Sequence, residues 1–247
     1  EQFLWFCYTM EGRSSEAMNT ARSLAKNVEE PMAQEPGLGT LQQYWLIRYY
    51  SLVRFGKWKE ILAEAELHTK LKYPEGVWHY MRGMAFARTG RFDEAGKELE
   101  LLREIADEQS LETVKVWDLN KVSELLAIAA EVLAGELAAE REDFEKAIGY
   151  LENGISLEES LTFDEPPPWY FPVRQSLGAV LLEMGKAGEA EMVYRRDLQI
   201  NSENGWSLFG LAKSLRAQGK NNDALEVEKR FRRAWARSDI PLPGSRF

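Results

Sequence analysis

The chain has very few of the side chains that most catalytic and metal sites require. A single cysteine, Cys7, excludes an internal disulfide and any zinc site built from several cysteines. The two histidines, His68 and His79, are eleven positions apart, and neither has a second histidine or cysteine at ligand spacing. We therefore expect no metal, no cofactor and no catalytic residue, and we predict that the chain is not an enzyme.

Long apolar runs and an excess of basic residues are also missing. No apolar run approaches the roughly 20 residues that a membrane-spanning helix needs. The 247 residues include 31 Lys+Arg and 40 Asp+Glu, a formal net charge of −9, and 45% are hydrophobic. This balance disfavours binding to nucleic acid or to an anionic membrane and fits a globular chain with its own core.

The most informative feature of the sequence is an internal repeat. Gly56 and Gly90 are 34 positions apart, and so are Gly185 and Gly219. Six glycine-centred copies can be aligned, with an alanine, or once an isoleucine, five positions after the glycine; the fourth copy has glutamate in the glycine position. The aligned pairs are Gly12/Ala17, Gly56/Ile61, Gly90/Ala95, Glu142/Ala147, Gly185/Ala190 and Gly219/Ala224.

A small residue also precedes the turn by seven positions in the clearest copies, at Gly83, Gly178 and Ala212, and a large one follows it three positions later. Small residues at these positions allow two helices to approach closely. Glycine between them permits the backbone angle that a short helix–helix connection needs. The pattern therefore predicts pairs of helices joined by tight turns.

The 34-residue period and this small–large–Gly–Ala pattern resemble the tetratricopeptide repeat family. The resemblance implies an all-α fold, a right-handed α-α superhelix of about six helix pairs forming one domain over residues 1–247. The repeats expected from it are roughly 1–30, 42–75, 76–109, 128–161, 171–204 and 205–238, with a tail at 239–247. Longer linkers are expected at 29–39, 107–120 and 162–172.

In this family the first helix of each pair lines a concave groove, so the resemblance implies where a ligand would bind. The expected peptide-binding residues are Leu46, Tyr50, Tyr80, Met84, Phe209, Lys213 and Arg216. We predict a non-catalytic interaction scaffold that binds a peptide or partner helix there. The same aromatic and methionine strip is also compatible with a core position, buried by neighbouring helices.

A structural role is the alternative to peptide binding. The first ten residues already read as helix, with no signal-peptide pattern. The chain looks like the C-terminal part of a larger bacterial tetratricopeptide repeat protein, with any targeting signal upstream of residue 1. Its groove would then be filled by the missing segment or by a second copy through self-association. A single cysteine favours the cytoplasm as its compartment.

The segment Pro166-Pro167-Pro168-Trp169-Tyr170 contains a Pro-Pro-x-Tyr pattern with two interpretations. Such a segment can dock in polyproline II form on small domains with aromatic grooves. It can also be a rigid loop that enters a helix, with Trp169 and Tyr170 packed beneath it.

Overall fold

The computed structural model describes residues 1–28 and 38–247, which are predominantly helical and arranged as successive helix pairs. Most of the expected linker at 29–39 lies outside the described residues. The helix pairs are α1 (Gln2–Met10) with α2 (Ser14–Lys26), α3 (Gly39–Arg54) with α4 (Trp58–Ala63), α5 (Lys72–Arg88) with α6 (Phe92–Ala106), α7 (Val122–Glu140) with α8 (Phe144–Ser160), α9 (Val173–Glu183) with α10 (Ala187–Ile200), and α11 (Gly205–Ala217) with α12 (Asn221–Ala234).

The turns inside these pairs have the left-handed backbone that the glycine pattern predicted. The five turn glycines all adopt positive φ angles, between 62° at Gly56 and 78° at Gly185. Glu142, which takes the glycine position in the fourth copy, adopts the same left-handed conformation with φ at 61°. All six pairs therefore share one turn geometry, although one of them builds it with a residue that is sterically disfavoured there.

Close approach at the small positions is also observed, with one difference. A methyl group on Gly178 would overlap the ring of Tyr194 on the paired helix, as predicted. At Gly83, however, the neighbour is Leu133 of α7, which belongs to the next pair. Small residues at this position thus allow close contact in two places: within a helix pair, as at Gly178, and between the first helices of adjacent pairs, as at Gly83.

First and second helices differ strongly in burial. Helix α5 buries 12 of its 17 residues, whereas its partner α6 buries 5 of 15. Helix α11 buries 9 of 13 and its partner α12 only 2 of 14. The first helices of the second to sixth pairs therefore form the inside of the molecule and their partners form the outer layer. In the first pair the order is reversed, because α1 buries 2 of 9 residues and α2 buries 4 of 13.

Two stretches depart from the simple repeat. Helix α4 has six residues, so the second pair is shorter than expected. The expected linker at 107–120 contains a 3-10 turn, Gln109–Thr113, and a two-stranded antiparallel hairpin, β1 (Lys115–Val116) and β2 (Asn120–Lys121). Trp117 and Asp118 both have positive φ and close this hairpin, a geometry suited to the twist of paired strands. Among the described residues no helix has the length and apolar character needed to cross a membrane.

The first and last pairs meet. The Trp235 ring packs against both Gly12 and Gly205 so closely that neither position has room for a methyl group. The Trp206 indole donates a hydrogen bond to the Thr9 carbonyl at 3.2 Å. The Asp239 carboxylate accepts hydrogen bonds from the backbone N–H of Ser14 and Ser15 at the start of α2.

Candidate functional site

The inside of the molecule is filled in part by the proline-rich loop. Tyr170 stacks on Tyr50 with ring centroids 4.4 Å apart, and its hydroxyl lies 2.8 Å from that of Tyr80. Trp169 packs edge-on against the same two tyrosines, and both loop aromatics are buried. Gln43 on α3 donates a hydrogen bond to the Pro168 carbonyl at 3.0 Å. Tyr170 therefore cannot serve as the anchor of a docked Pro-Pro-x-Tyr segment, and the rigid-loop interpretation is confirmed.

The same packing buries the first four of the expected groove residues. Leu46, Tyr50, Tyr80 and Met84 are at most 4% exposed. Their expected placement on an open groove is wrong, because the loop aromatics and neighbouring first helices cover them. Burial also raises the pKa of the Tyr50 and Tyr80 hydroxyls, which stay neutral.

The other three expected groove residues lie on α11, apart from that cluster. Phe209 is half-buried against Phe231, and the Lys213 ammonium group sits 4.5 Å from the Phe209 ring centroid. Lys213 is exposed, and its Nζ donates to the Pro243 carbonyl at 2.8 Å. Arg216 is exposed and forms a two-pronged ion pair with Glu228. The structure therefore does not bring the seven residues together as one site.

A buried arginine ties the loop to the inner helices. The Arg54 guanidinium lies 3.5 Å from the ring centroid of Trp206 and 5.1 Å from that of Phe171. It donates a hydrogen bond to the side-chain oxygen of Gln175 at 2.5 Å, and the Asp197 carboxylate favours its charged form. Burial lowers the Arg54 pKa to about 9. Stacking on two aromatic faces compensates part of the desolvation of this cation.

The end of the C-terminal tail (residues 239–247) also packs against the inner helices. Ser245 and Arg246 are buried. The Arg246 guanidinium binds the Glu183 carboxylate through two contacts of 2.9 and 2.7 Å, and it also pairs closely with buried Glu136. The Phe247 ring packs edge-on against Trp206. The concave surface expected to receive a ligand is thus occupied by the protein's own chain.

An open cleft of about 530 Å³ lies elsewhere, between α1, the loop at 161–172 and the C-terminal ends of α8 and α10. We call it the α1 cleft. Three of its lining residues are large apolar side chains with unusual exposure: Phe3 at 60%, Phe163 at 81% and Ile200 at 56%. Exposed apolar side chains gathered around one concavity mark binding sites more often than side chains that are scattered singly.

The α1 cleft is also acidic. Its charged lining residues are Glu158, Glu159, Asp164, Glu165, Asp197 and a single base, Arg174. That base is already paired with Glu159 at 2.6 Å. Glu158 and Asp197 lie in the last turns of α8 and α10. The cleft therefore favours cations.

Two of these carboxyls are held in an unfavourable environment. Burial raises the pKa of Glu158 to about 8, although its carboxylate accepts a 3.0 Å hydrogen bond from the Val173 N–H. Burial likewise raises the pKa of Asp197, against the hydrogen bonds it accepts from Ser207 and Asn201. Trp169 adds a buried indole Nε1 that has no hydrogen-bond partner among residues 1–28 and 38–247. Two carboxyls with raised pKa and one unpaired indole N–H thus lie at the edge of an apolar cleft.

The sequence carried little signal for this site. Glu158 lies in the last turn of an amphipathic helix, where its sequence context predicts an exposed acid. Phe3, Phe163 and Asp197 are far apart along the chain. The cluster of Phe163, Asp164 and Glu165 beside three prolines was the one available hint, since an apolar and acidic loop is an unusual surface. In the described ranges no group of three or more His, Cys, Asp or Glu side chains is arranged to hold a metal ion.

Comparison of the chain with protein-family models, with curated proteins and with solved structures finds no match. The tetratricopeptide resemblance therefore rests on the sequence pattern. The site has to be interpreted from its own geometry.

Proposed function

We propose that this chain is a non-catalytic protein-interaction module that binds a short peptide segment in the α1 cleft. The segment would carry a lysine or arginine beside an apolar side chain. We further propose that the helix pairs form a right-handed superhelix of the tetratricopeptide type and that the protein works in the cytoplasm, which its single cysteine favours.

The observation that supports this proposal most strongly is the combination of apolar exposure and negative charge in one concavity. Phe3, Phe163 and Ile200 offer apolar area that a ligand would remove from water. Glu158 and Asp197 line the same cleft, and Arg174, the one basic residue in its lining, is paired with Glu159. A basic residue with an apolar neighbour complements both features, and the aromatic faces add attraction for a cation.

The raised pKa of Glu158 makes the proposed binding dependent on pH. The carboxyl is mostly neutral below about pH 8 and ionised above it. A cationic ligand binds the ionised form better, so raising the pH from 6.5 to 8.5 should strengthen binding several-fold. An arginine-containing probe keeps its own charge over this range, which isolates the contribution of the protein.

Fluorescence anisotropy with three labelled, amidated nonapeptides tests the proposal. The first alternates arginine and leucine, the second replaces arginine by glutamate, and the third replaces leucine by serine. We expect saturable binding of the first peptide alone. Comparable binding of the acidic peptide, or no binding by any of them, would refute the assignment.

Protein variants locate the binding. The double variant Phe163→Ser with Ile200→Ser removes two exposed side chains and should weaken binding of the arginine–leucine peptide at least tenfold. The control is Met192→Ser, which removes a 65% exposed side chain from the same helix as Ile200 but outside the cleft. Equal loss in the control and the double variant would show non-specific adhesion.

A second candidate function is packing of α1 against another copy of the chain, in line with a structural role. Leu4, beside Phe3, is 53% exposed and adds to the apolar surface of this helix. Light scattering after size exclusion would show a dimer that Leu4→Ser dissociates. Peptide binding that survives Leu4→Ser in a monomer would favour the first function.

A further inference from the structure

The C-terminal tail contacts the inside of the molecule as a peptide ligand contacts a receptor. Residues 235–247 form no helix or strand. Backbone carbonyls and side chains of this stretch are bound by residues from widely separated helices. The surface they contact is distinct from the α1 cleft, so recognition of the tail is independent of the function proposed above.

Each of the last residues has its own partners. The Ser245 hydroxyl donates to the Gln175 carbonyl at 2.8 Å and lies 2.6 Å from the Tyr194 hydroxyl. The Arg246 guanidinium lies between two carboxylates from different helices, Glu136 of α7 and Glu183 of α9.

Phe247 completes the set. Its side chain fills the space above Gly56, where even a methyl group would collide with it, and packs against Trp206. The Arg88 guanidinium donates to its carbonyl oxygen. Different residues of the inner helices thus contact the hydroxyl of Ser245, the guanidinium of Arg246 and the ring of Phe247.

The charge of this surface also requires a cation. Glu136 is 1% exposed, and although burial opposes ionisation, Arg246 and Arg88 together lower its pKa. Glu183 and Glu140 also lie nearby. Without Arg246, Arg88 would be the one cation among the described residues facing these three carboxylates, and the surface would stay acidic. An unpaired buried carboxylate is costly, so the surface favours an arginine from whichever segment supplies one.

We propose that this inner surface recognises a Ser-Arg-aromatic peptide segment, that residues 244–247 are its resident occupant, and that the same segment on another chain can replace them. The tail is connected through Pro241 and Pro243, and Pro241 is exposed. Exchange would therefore require release of the last few residues and no unfolding of a helix.

The test uses the 247-residue chain carrying Arg246→Ser with Phe247→Ser, which removes the two side chains that hold the end of the tail. The probe is a fluorescein-labelled, amidated hexapeptide of residues 242–247. It should bind this variant saturably, and peptides with alanine in place of the arginine or the phenylalanine should bind at least tenfold more weakly. The wild-type chain and Pro241→Ser, a control that leaves the contacting residues intact, should bind it at least tenfold more weakly because a tethered tail competes at roughly millimolar effective concentration.

The proposal is overturned if the variant folds, as judged by circular dichroism, and fails to bind or binds all three peptides equally. If it does not fold, hydrogen exchange on the wild-type protein decides. Faster exchange of the amides at 244–247 than of those in α7 and α9 identifies a separable ligand. Exchange in concert with these helices would show that the tail is an inseparable part of the core.

Discussion

Replacing Glu158 by glutamine should stabilise the protein, and the gain should depend on pH. The carboxyl is neutral in the folded chain up to about pH 8 but ionises near pH 4.5 when the chain unfolds. Between these values the folded state holds one proton more than the unfolded state, so wild-type stability falls as the pH rises. Glutamine cannot ionise and keeps an oxygen to accept the Val173 N–H, so the variant escapes this loss.

The size of the effect follows from the two pKa values. A difference of about 3.5 in pKa corresponds to about 5 kcal/mol when the carboxyl is fully ionised. The side chain faces a half-open cleft, and water there screens part of this penalty. We therefore expect Glu158→Gln to be more stable than the wild type by about 2 kcal/mol at pH 9 and by well under 1 kcal/mol at pH 5.

Thermal unfolding followed by circular dichroism at pH 5 and pH 9 measures this difference. For a chain of this length, about 2 kcal/mol corresponds to a Tm higher by about 4–8 °C at pH 9. The matched control is Glu152→Gln, an exposed glutamate on the same helix, which should leave Tm nearly unchanged at both pH values. A variant no more stable than the wild type at pH 9 would refute the burial of an ionisable carboxyl in the cleft and weaken its proposed role in cation binding.

Two further predictions concern the repeat itself, and thermal unfolding tests both. Glu142→Gly relieves the strain of a left-handed backbone at a residue with a side chain and should add about 1 kcal/mol of stability. Gly185→Ala imposes the same strain and should remove about as much. Equal effects of one sign would contradict the shared turn geometry. Gly178→Ala should cost about 1–3 kcal/mol because its methyl group overlaps Tyr194, while Gly96→Ala, in open space on an outer helix, should stabilise by about 0.5–1 kcal/mol.

The sequence was sufficient to predict the helix pairs and their turns. Each turn requires one residue with a left-handed backbone, and this requirement is local. The spacing of the glycines therefore predicts where the turns lie, and the same spacing places Glu142 at the turn of the fourth pair. The first helices could also be recognised, because small residues such as Gly83 and Gly178 are needed where helices approach. These features depend on residues within one or two repeats of each other.

The segments that cover the inner helices could not be predicted in the same way. Helical spacing shows that Tyr50 and Tyr80 point inward, yet it does not show what lies opposite them. Gln43 donates a hydrogen bond to Pro168, 125 positions away, and no local pattern encodes that contact. The unusual pKa of Glu158 has the same origin, since its surroundings come from segments that meet only in the folded chain.

The meeting of Trp235 with Gly12 restricts how this architecture can change. An open array in which each unit touches only its neighbours can gain or lose a unit and keep every remaining contact. Here the loss or duplication of one helix pair would move Trp235 by a full repeat relative to Gly12. The contact between these two residues would be lost, and so would the hydrogen bonds from α2 to Asp239. The number of pairs between these two points is therefore fixed by a contact across the molecule.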